Sequence, residues 1–387
     1  MQSKTIKRKV LMVSDVYLPR INGVSTSIKS FRHNLPNHGI DVHVVAPRYG
    51  NEHNEEGITR YSGYKVPRSP EDRIAKWNDI KRVVYDTAKD YDLIHTHTPF
   101  AAHYAGMHAA NKHGIPIITT YHTLFEEYFR HYVPFIPPKI LKAIARFISR
   151  RQCNKLDAVI VPSTAMMERM KSYGVTAPLF QLPTGISLTS FANGEAGDFR
   201  ARHNITEDRP LALYVGRVAH EKNIGFILES LQHALKQNPD ILLAIAGGGP
   251  AMQELKNEVN NGDLKDAVRF IGYLDHETEL PSCYAAADVF VFASRTETQG
   301  LVLAEALAAG LPVIALSEMG TADILRDQRG CISPPLCTKT FGSTIAKVLN
   351  QPELRNKLSE EAKIYSEEWS DDTAASKLAK LYTEIIG

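Results

Sequence analysis

Two glutamates eight positions apart, Glu297 and Glu305, stand in the segment SRTETQGLVLAEALAAGLPVIA (Ser294–Ala315). Glu297 follows an apolar run that reads as a buried strand, and Glu305 falls inside a helix that starts near Gly300. A carboxylate in the loop can accept hydrogen bonds from sugar hydroxyls, and one to two turns into the helix a second can reach a ribose. The amides at Gly300 and Leu301 would face the same ligand. Glu305, set among Ala304, Ala306 and Leu307, also reads as a buried acid, which is costly unless it has a partner. Upstream, YVGRVAHEKN (Tyr214–Asn223) runs from strand through a small-residue turn to Arg217 and Lys222 at the mouth of a helix. Fixed positive charge and unpaired backbone N–H groups converge there, which suits a diphosphate. The plainer reading makes both ordinary surface cations. In AIAGGGPAM (Ala244–Met252), Gly247, Gly248 and Gly249 sit between a strand and a helix, where glycine lets the backbone approach a ligand or turn tightly. The segment lacks both the Walker Lys-Ser/Thr and the spaced dinucleotide fingerprint.

The elements that must position these residues alternate from end to end. Short β-branched runs at Lys9–Ser14, Asp41–Ala46, Leu93–His95, Ile117–Thr120 and Ala158–Pro162 are separated by helix-length amphipathic stretches, the pattern of a parallel sheet covered on both faces. After Phe180–Leu182 a stretch rich in Gly, Pro, Asn and charge marks a domain boundary near residues 183–208. A second series follows at Leu211–Val215, Ile241–Ala246, Val268–Ile271, Val289–Ala293 and Val313–Ala315. Two such series predict an α/β protein of two Rossmann-like domains with parallel sheets facing across a cleft. The expected domains are residues 1–185, joined by a C-terminal helix within 368–387, and residues 186–367. Asp371–Ile386 reads as that helix, with Ala374, Leu378, Leu381 and Ile385 on one face.

Length and composition agree. A chain of 387 residues exceeds what one core usually organises, and 43% hydrophobic with 23% charged residues is ordinary globular content. The four cysteines lack metal-ligand spacing and the N-terminus lacks a signal-peptide apolar stretch, so a cytoplasmic location is expected. No apolar run approaches the roughly 20 residues that span a bilayer, which leaves peripheral contact on the inner face of a membrane. Residues 1–185 carry 26 Lys and Arg against 15 Asp and Glu, while residues 186–387 carry 19 against 28. A basic first half suits an anionic partner such as a membrane surface or phosphorylated acceptor, and equally a merely solvated basic surface.

Taken jointly, the Glu297/Glu305 pair with EALAAGLPVIA, the GRVAHEKN segment, VSDVYLPRINGVSTSI (Val13–Ile28) and TTYHT (Thr119–Thr123) strongly resemble the retaining GT-B glycosyltransferases of family four. The resemblance covers nearly the whole chain. It implies Gly23 under the donor phosphates, Arg217 and Lys222 on the diphosphate, Glu297 on the donor sugar, Glu305 on the ribose and His122 near the reacting carbon. It also implies that Gly272–Tyr273–Leu274 lies beside the base, with Tyr273 and Gly248 lining the donor site, and that the last helix crosses back to the first domain. No protein nucleophile and no cofactor or metal is then needed: the diphosphate leaves, the two cations stabilise its growing charge, and the acceptor hydroxyl attacks from the same face.

Asp90-Tyr91-Asp92 matches the Asp-x-Asp signature of metal-dependent sugar transferases, but it precedes a buried strand, at the wrong end for a βα site. His95 and His97 lie at the productive end, where both could line the acceptor pocket or take a core or capping role. Pro137–Lys155 holds six cations and no acid, and on a helical wheel Lys139, Lys142, Arg146 and Arg150 gather opposite an apolar set of Ile140, Ile144, Phe147 and Ile148. Such a helix can lie on an anionic bilayer or pack on the core with a solvated basic face. The aromatic stretch Thr120–Pro137 and the TETQG ending resemble bacterial diacylglycerol glucosyltransferases within the family, which implies a lipid acceptor and UDP-glucose, with GDP-mannose the second donor. Transfer to a soluble, polyprenyl or glycan acceptor, and a sugar-nucleotide epimerase or hydrolase of the same architecture, are the competing readings. Nucleic acid is not expected, since no zinc finger, RNP-like aromatic pattern or basic recognition helix accompanies the charge.

Overall fold

The computed structural model describes residues 8–50, 52, 55–66, 69–122, 138–276 and 278–387, without the side chains of 69–71, 138 and 139. The chain forms two compact units, Met1–Gly185 with Asp371–Gly387, and Ile186–Ser370.

In the first unit the strands are β1 (Arg8–Val13), β2 (Ile40–Pro47), β3 (Ile58–Tyr61), β4 (Gly63–Val66), β5 (Ser69–Ala75), β6 (Leu93–Thr96), β7 (Ile117–Thr120), β8 (Ala158–Val161) and β9 (Leu179–Gln181). Seven of them make a parallel sheet in the order β3-β2-β1-β6-β7-β8-β9, while β4 and β5 pair as a separate antiparallel hairpin. The described helices are α1 (Gly23–Asn34), α2 (Trp77–Ala88), α3 (Ala101–His113), α4 (Pro138–Cys153) and α5 (Thr164–Ser172). The five strands read from apolar runs all form. β3 and β4, four residues each and half-exposed, carry no such run, and neither they nor β5 and β9 are expected from the sequence.

The second unit repeats the plan with β10 (Leu211–Val215), β11 (Leu242–Ala246), β12 (Val268–Gly272), β13 (Val289–Phe292), β14 (Val313–Ala315) and β15 (Cys331–Ile332), ordered β12-β11-β10-β13-β14-β15. All its strand pairs are parallel. Its helices are α6 (Leu188–Ala192), α7 (Ala196–Arg202), α8 (Ile224–Leu235), α9 (Met252–Asn261), α10 (Leu280–Ala286), α11 (Leu301–Ala308), α12 (Thr321–Leu325), α13 (Thr338–Asn350) and α14 (Pro352–Ser366). β10, β11 and β13 are buried along their whole length, as parallel strands covered on both faces must be.

The last helix, α15 (Asp371–Ile386), belongs to the first unit. Its Ala374, Leu378, Leu381 and Tyr382 join the core formed by Ile28, Phe31, Leu35 and Met12. Tyr382 is fully buried, so α15 is part of that core rather than a surface appendage.

Each sheet has a point where the chain order reverses, between β1 and β6 in the first and between β10 and β13 in the second. Loops at the carboxyl ends of strands flanking such a point leave a crevice for ligand, because successive helices depart to opposite faces there.

Candidate active site

In the second unit the reversal point is flanked by the loop after β10 and the loop after β13. The first begins at Gly216 and carries Arg217; a single 3-10 turn, His220–Lys222, leads to Asn223, whose backbone is left-handed at φ 57°. Tyr214 Oη donates to Arg217 O at 3.1 Å and Asn223 Nδ2 to Ala293 O at 3.3 Å, so the loop after β10 is fastened to its own strand and to the residue that follows β13. Lys222 Nζ reaches Glu297 Oε1 at 2.5 Å, with both side chains about one-fifth exposed. Two residues read separately, one for diphosphate and one for sugar, are therefore neighbours. Arg217 is half-exposed and turns to Glu221 at 3.7 Å instead.

The glycine run resolves into different duties. A Cβ on Gly247 would lie 1.9 Å from Gly216 O and one on Gly249 2.3 Å from Val218 O, so both glycines exist to let two loops of the protein touch. Val218 N donates to Gly248 O at 2.9 Å and Gly216 N to Ala246 O at 3.0 Å across that contact. Only Gly248 has open space where its side chain would be. Of the two readings of the run, Gly247 and Gly249 serve the close turn, and Gly248 keeps room on its side-chain face.

Glu305 is 6% exposed on α11 and held from two sides: Tyr284 Oη donates to its Oε2 at 2.8 Å, and His276 Nε2 lies 3.4 Å from its Oε1. Phe191 meets both partner rings edge-on at 5.6 and 5.8 Å. Burial and the adjacent carboxylate keep the Tyr284 phenol well above its ordinary range, so it stays a donor. Gly300, left-handed at φ 92°, starts the helix at Leu301. Tyr273, just past β12, is 72% exposed.

In the first unit Gly23 opens α1, where Asn22 Oδ1 accepts from Ser25 N at 2.9 Å; a Cβ on Gly23 would meet nothing. His122 follows β7, and its Nε2 lies 3.1 Å from His97 Nδ1. His97 is 1% exposed, so what it touches is His122 rather than an open pocket. Burial lowers His122 to about 4 and His95 to about 3, and holds His97 well below the ordinary imidazole range, so all three are neutral at physiological pH.

Asp15, beyond the end of β1, was not singled out by its spacing. Its carboxylate accepts from Thr98 Oγ1 at 2.7 Å and from Ala102 N at 3.1 and 3.2 Å, at the start of α3. Burial pushes it up to about 6 although those hydrogen bonds pull the other way. Asp92, by contrast, accepts from Lys9 N at 2.7 Å at the amino end of the sheet, away from the carboxyl ends where ligands sit.

Helix α4 has Leu141, Ala145 and Ser149 buried, while Ile140, Ile144 and Phe147 are 51%, 40% and 55% exposed. Its apolar stripe therefore faces outward with Lys142 instead of into the core. Arg146 lies over the Tyr173 ring, and the stem of Arg150 covers Gly174. The Lys139 side chain and residues 123–137, most of the aromatic stretch, lie outside the described residues.

Comparison with known proteins bears on the family and the fold. Residues 21–190 match the family described as Glycosyltransferase Family 4, and residues 196–365 match Glycosyl transferases group 1. The chain is 32% identical over 324 residues to the alpha-monoglucosyldiacylglycerol synthase of Streptococcus pneumoniae, covering 79% of this chain and 70% of that one. It is 27% identical over 390 residues to the enzyme of the same name from Acholeplasma laidlawii, covering 98% and 97%. Among solved structures, sucrose-phosphate synthase from Thermosynechococcus elongatus superposes with a TM-score of 0.77 at 22% identity, covering 98% and 99%. With two parallel-sheet units, both family matches and these relatives, the chain belongs to the GT-B glycosyltransferases of family four and resembles the bacterial diacylglycerol glucosyltransferases.

Proposed function

We propose that the chain is a retaining hexosyltransferase that takes a hexose from a nucleotide-diphosphate sugar, UDP-glucose first and GDP-mannose second, and passes it to a hydroxyl of a membrane lipid of the diacylglycerol type. The observation that carries the donor half is the meeting of Lys222 with Glu297 at the reversal point of the second sheet, next to Arg217 and the open Gly248. There a diphosphate finds two fixed cations and a sugar finds a carboxylate. As the glycosidic bond loosens, Arg217 and Lys222 stabilise the leaving diphosphate, whose oxygen takes the acceptor proton as the hydroxyl attacks on the same face. Glu305 receives the ribose; for His122, on the first unit, a role in transfer rests on the family resemblance alone.

The lipid acceptor draws on the names of the two synthases and on the outward apolar stripe of α4 with its cations, which suits peripheral binding to an anionic bilayer. Among the described residues no helix is long and apolar enough to cross a membrane. The deciding experiment is mass spectrometry of products after incubation of a UDP-, GDP- and ADP-sugar panel with membrane lipid extract. An α-linked hexosyl lipid from one donor, formed equally with and without chelator, is the expected result. Product with inverted anomeric configuration would reject the retaining course, a soluble glycan product would reject the lipid, and loss on chelation would reject a metal-free site.

A further inference from the structure

β6 and β7 pair in parallel with His95 beside Ile118 and Thr96 beside Thr119. Alternation along each strand then puts His95 and His97 on the same face of the sheet as Thr120 and His122. The His97 and His122 rings stack with centroids 5.4 Å apart and 22° between planes, and their facing nitrogens, Nδ1 and Nε2, are 3.1 Å apart. Two neutral imidazoles in that contact share one N–H, carried by one ring or the other.

The far nitrogen of His97 decides which. His97 Nε2 is buried and has no hydrogen-bond partner among the described residues. Were His122 the donor, the proton of His97 would sit on that Nε2 as a buried N–H with nothing to accept it. An orphaned donor is the costlier defect, whereas a bare ring nitrogen left as an unused acceptor is the milder one. We propose that His97 is a positioning residue that donates its Nδ1–H to His122 Nε2 and so holds His122 in the tautomer that carries its proton on Nδ1.

The back of the stack is clamped. His95 lies against His97 with centroids 4.1 Å apart, and both of its own nitrogens are occupied, Nδ1 by Tyr382 Oη at 2.6 Å and Nε2 by Thr120 Oγ1 at 2.7 Å. Tyr382 comes from α15, so the C-terminal helix supports the rings that support His122. Resting on the functional reading above, the consequence is that His122 keeps its proton on Nδ1, the nitrogen away from His97, and serves transfer in that tautomer.

The test is a long-range proton–nitrogen correlation spectrum of the full ¹⁵N-labelled chain without donor, read for the tautomer of His122, together with steady-state kinetics. A His122 signal protonated on Nδ1 is expected, and one protonated on Nε2 overturns the assignment. His97→Leu should lower kcat by on the order of 10- to 100-fold, the usual effect of losing an orienting partner, while the KM for nucleotide-sugar stays within about twofold. His97→Asn, whose amide N–H falls where the imidazole Nδ1–H was, should recover most of the loss. Wild-type rates in both variants, or equal loss in both with unchanged circular dichroism, overturn it. Should the wild-type chain transfer no sugar from any donor, the functional reading fails while the spectrum still decides the tautomer.

Discussion

Lys222 and Glu297 are a largely covered ion pair, and each offsets a charge that would otherwise be stranded. Arg217 is different: half-exposed, it has only a loose contact with Glu221, and such surface pairs add little stability. Arg217→Ala should therefore leave the melting temperature unchanged and lower kcat/KM by about 100-fold or more, roughly 3 kcal/mol of transition-state stabilisation, as removal of one preorganised charge does elsewhere. Near-wild-type turnover would undo the diphosphate assignment. Lys222→Ala is a less clean probe, because it also strips Glu297 of its partner. At this scale the types and spacing of Arg217, Lys222, Glu297 and Glu305 were legible because those chemistries sit in local motifs. Tyr284 and His276, which hold Glu305, were not, since they come from another part of the chain.

At the scale of elements, two short segments do more than their patterns suggested. The loop Gly247–Gly249 is a seam between β10 and β11, so Gly247→Ala should destabilise the fold by about 3 kcal/mol through overlap with Gly216 O and a φ of 129°. Gly248→Ala meets no protein atom, should fold with wild-type stability and should weaken donor binding. Thermal unfolding of the two variants separates the seam from the ligand side, and equal stabilities would reject the distinction. For α4, neutralising Lys142, Arg146 and Arg150 together should weaken partition onto anionic vesicles by about 100-fold, at about 1 kcal/mol per cation near a charged surface. Unchanged partition in low salt would remove the membrane reading. Periodicity revealed α4 as amphipathic but left open which way its stripe points, because a helical wheel has no knowledge of the neighbouring layer.

For the whole molecule, the buried histidines govern the response to acid. His95 falls from an ordinary 6.5 to about 3 in the folded protein, and His97 and His122 shift the same way. Below pH 6.5 the unfolded chain takes up protons that the folded chain refuses, so stability falls as pH drops, by about 1.4 kcal/mol per pH unit for His95 alone until pH nears 3. Asp15, raised from 3.8 to about 6, works in the opposite sense between those values, since the folded form is the better proton acceptor there. With His103, which burial lowers to about 4, four histidines outweigh one aspartate, and the melting temperature should decline steadily from pH 6.5 to 4.5. A flat profile over that window would mean that these rings are not neutral in the fold.

The chain by itself determined that there are two parallel α/β units and where most central strands lie. Alternating apolar runs and glycine-bearing turns are local properties, set by nearest neighbours along the backbone. Only the tertiary structure decided that Tyr382 braces His95 across 287 residues, that Tyr284 and His276 answer Glu305, that two of three glycines serve loop against loop, and that the apolar stripe of α4 looks outward. Those outcomes depend on which residues remote in the chain become adjacent when the layers pack, and no period or spacing within one segment carries that information.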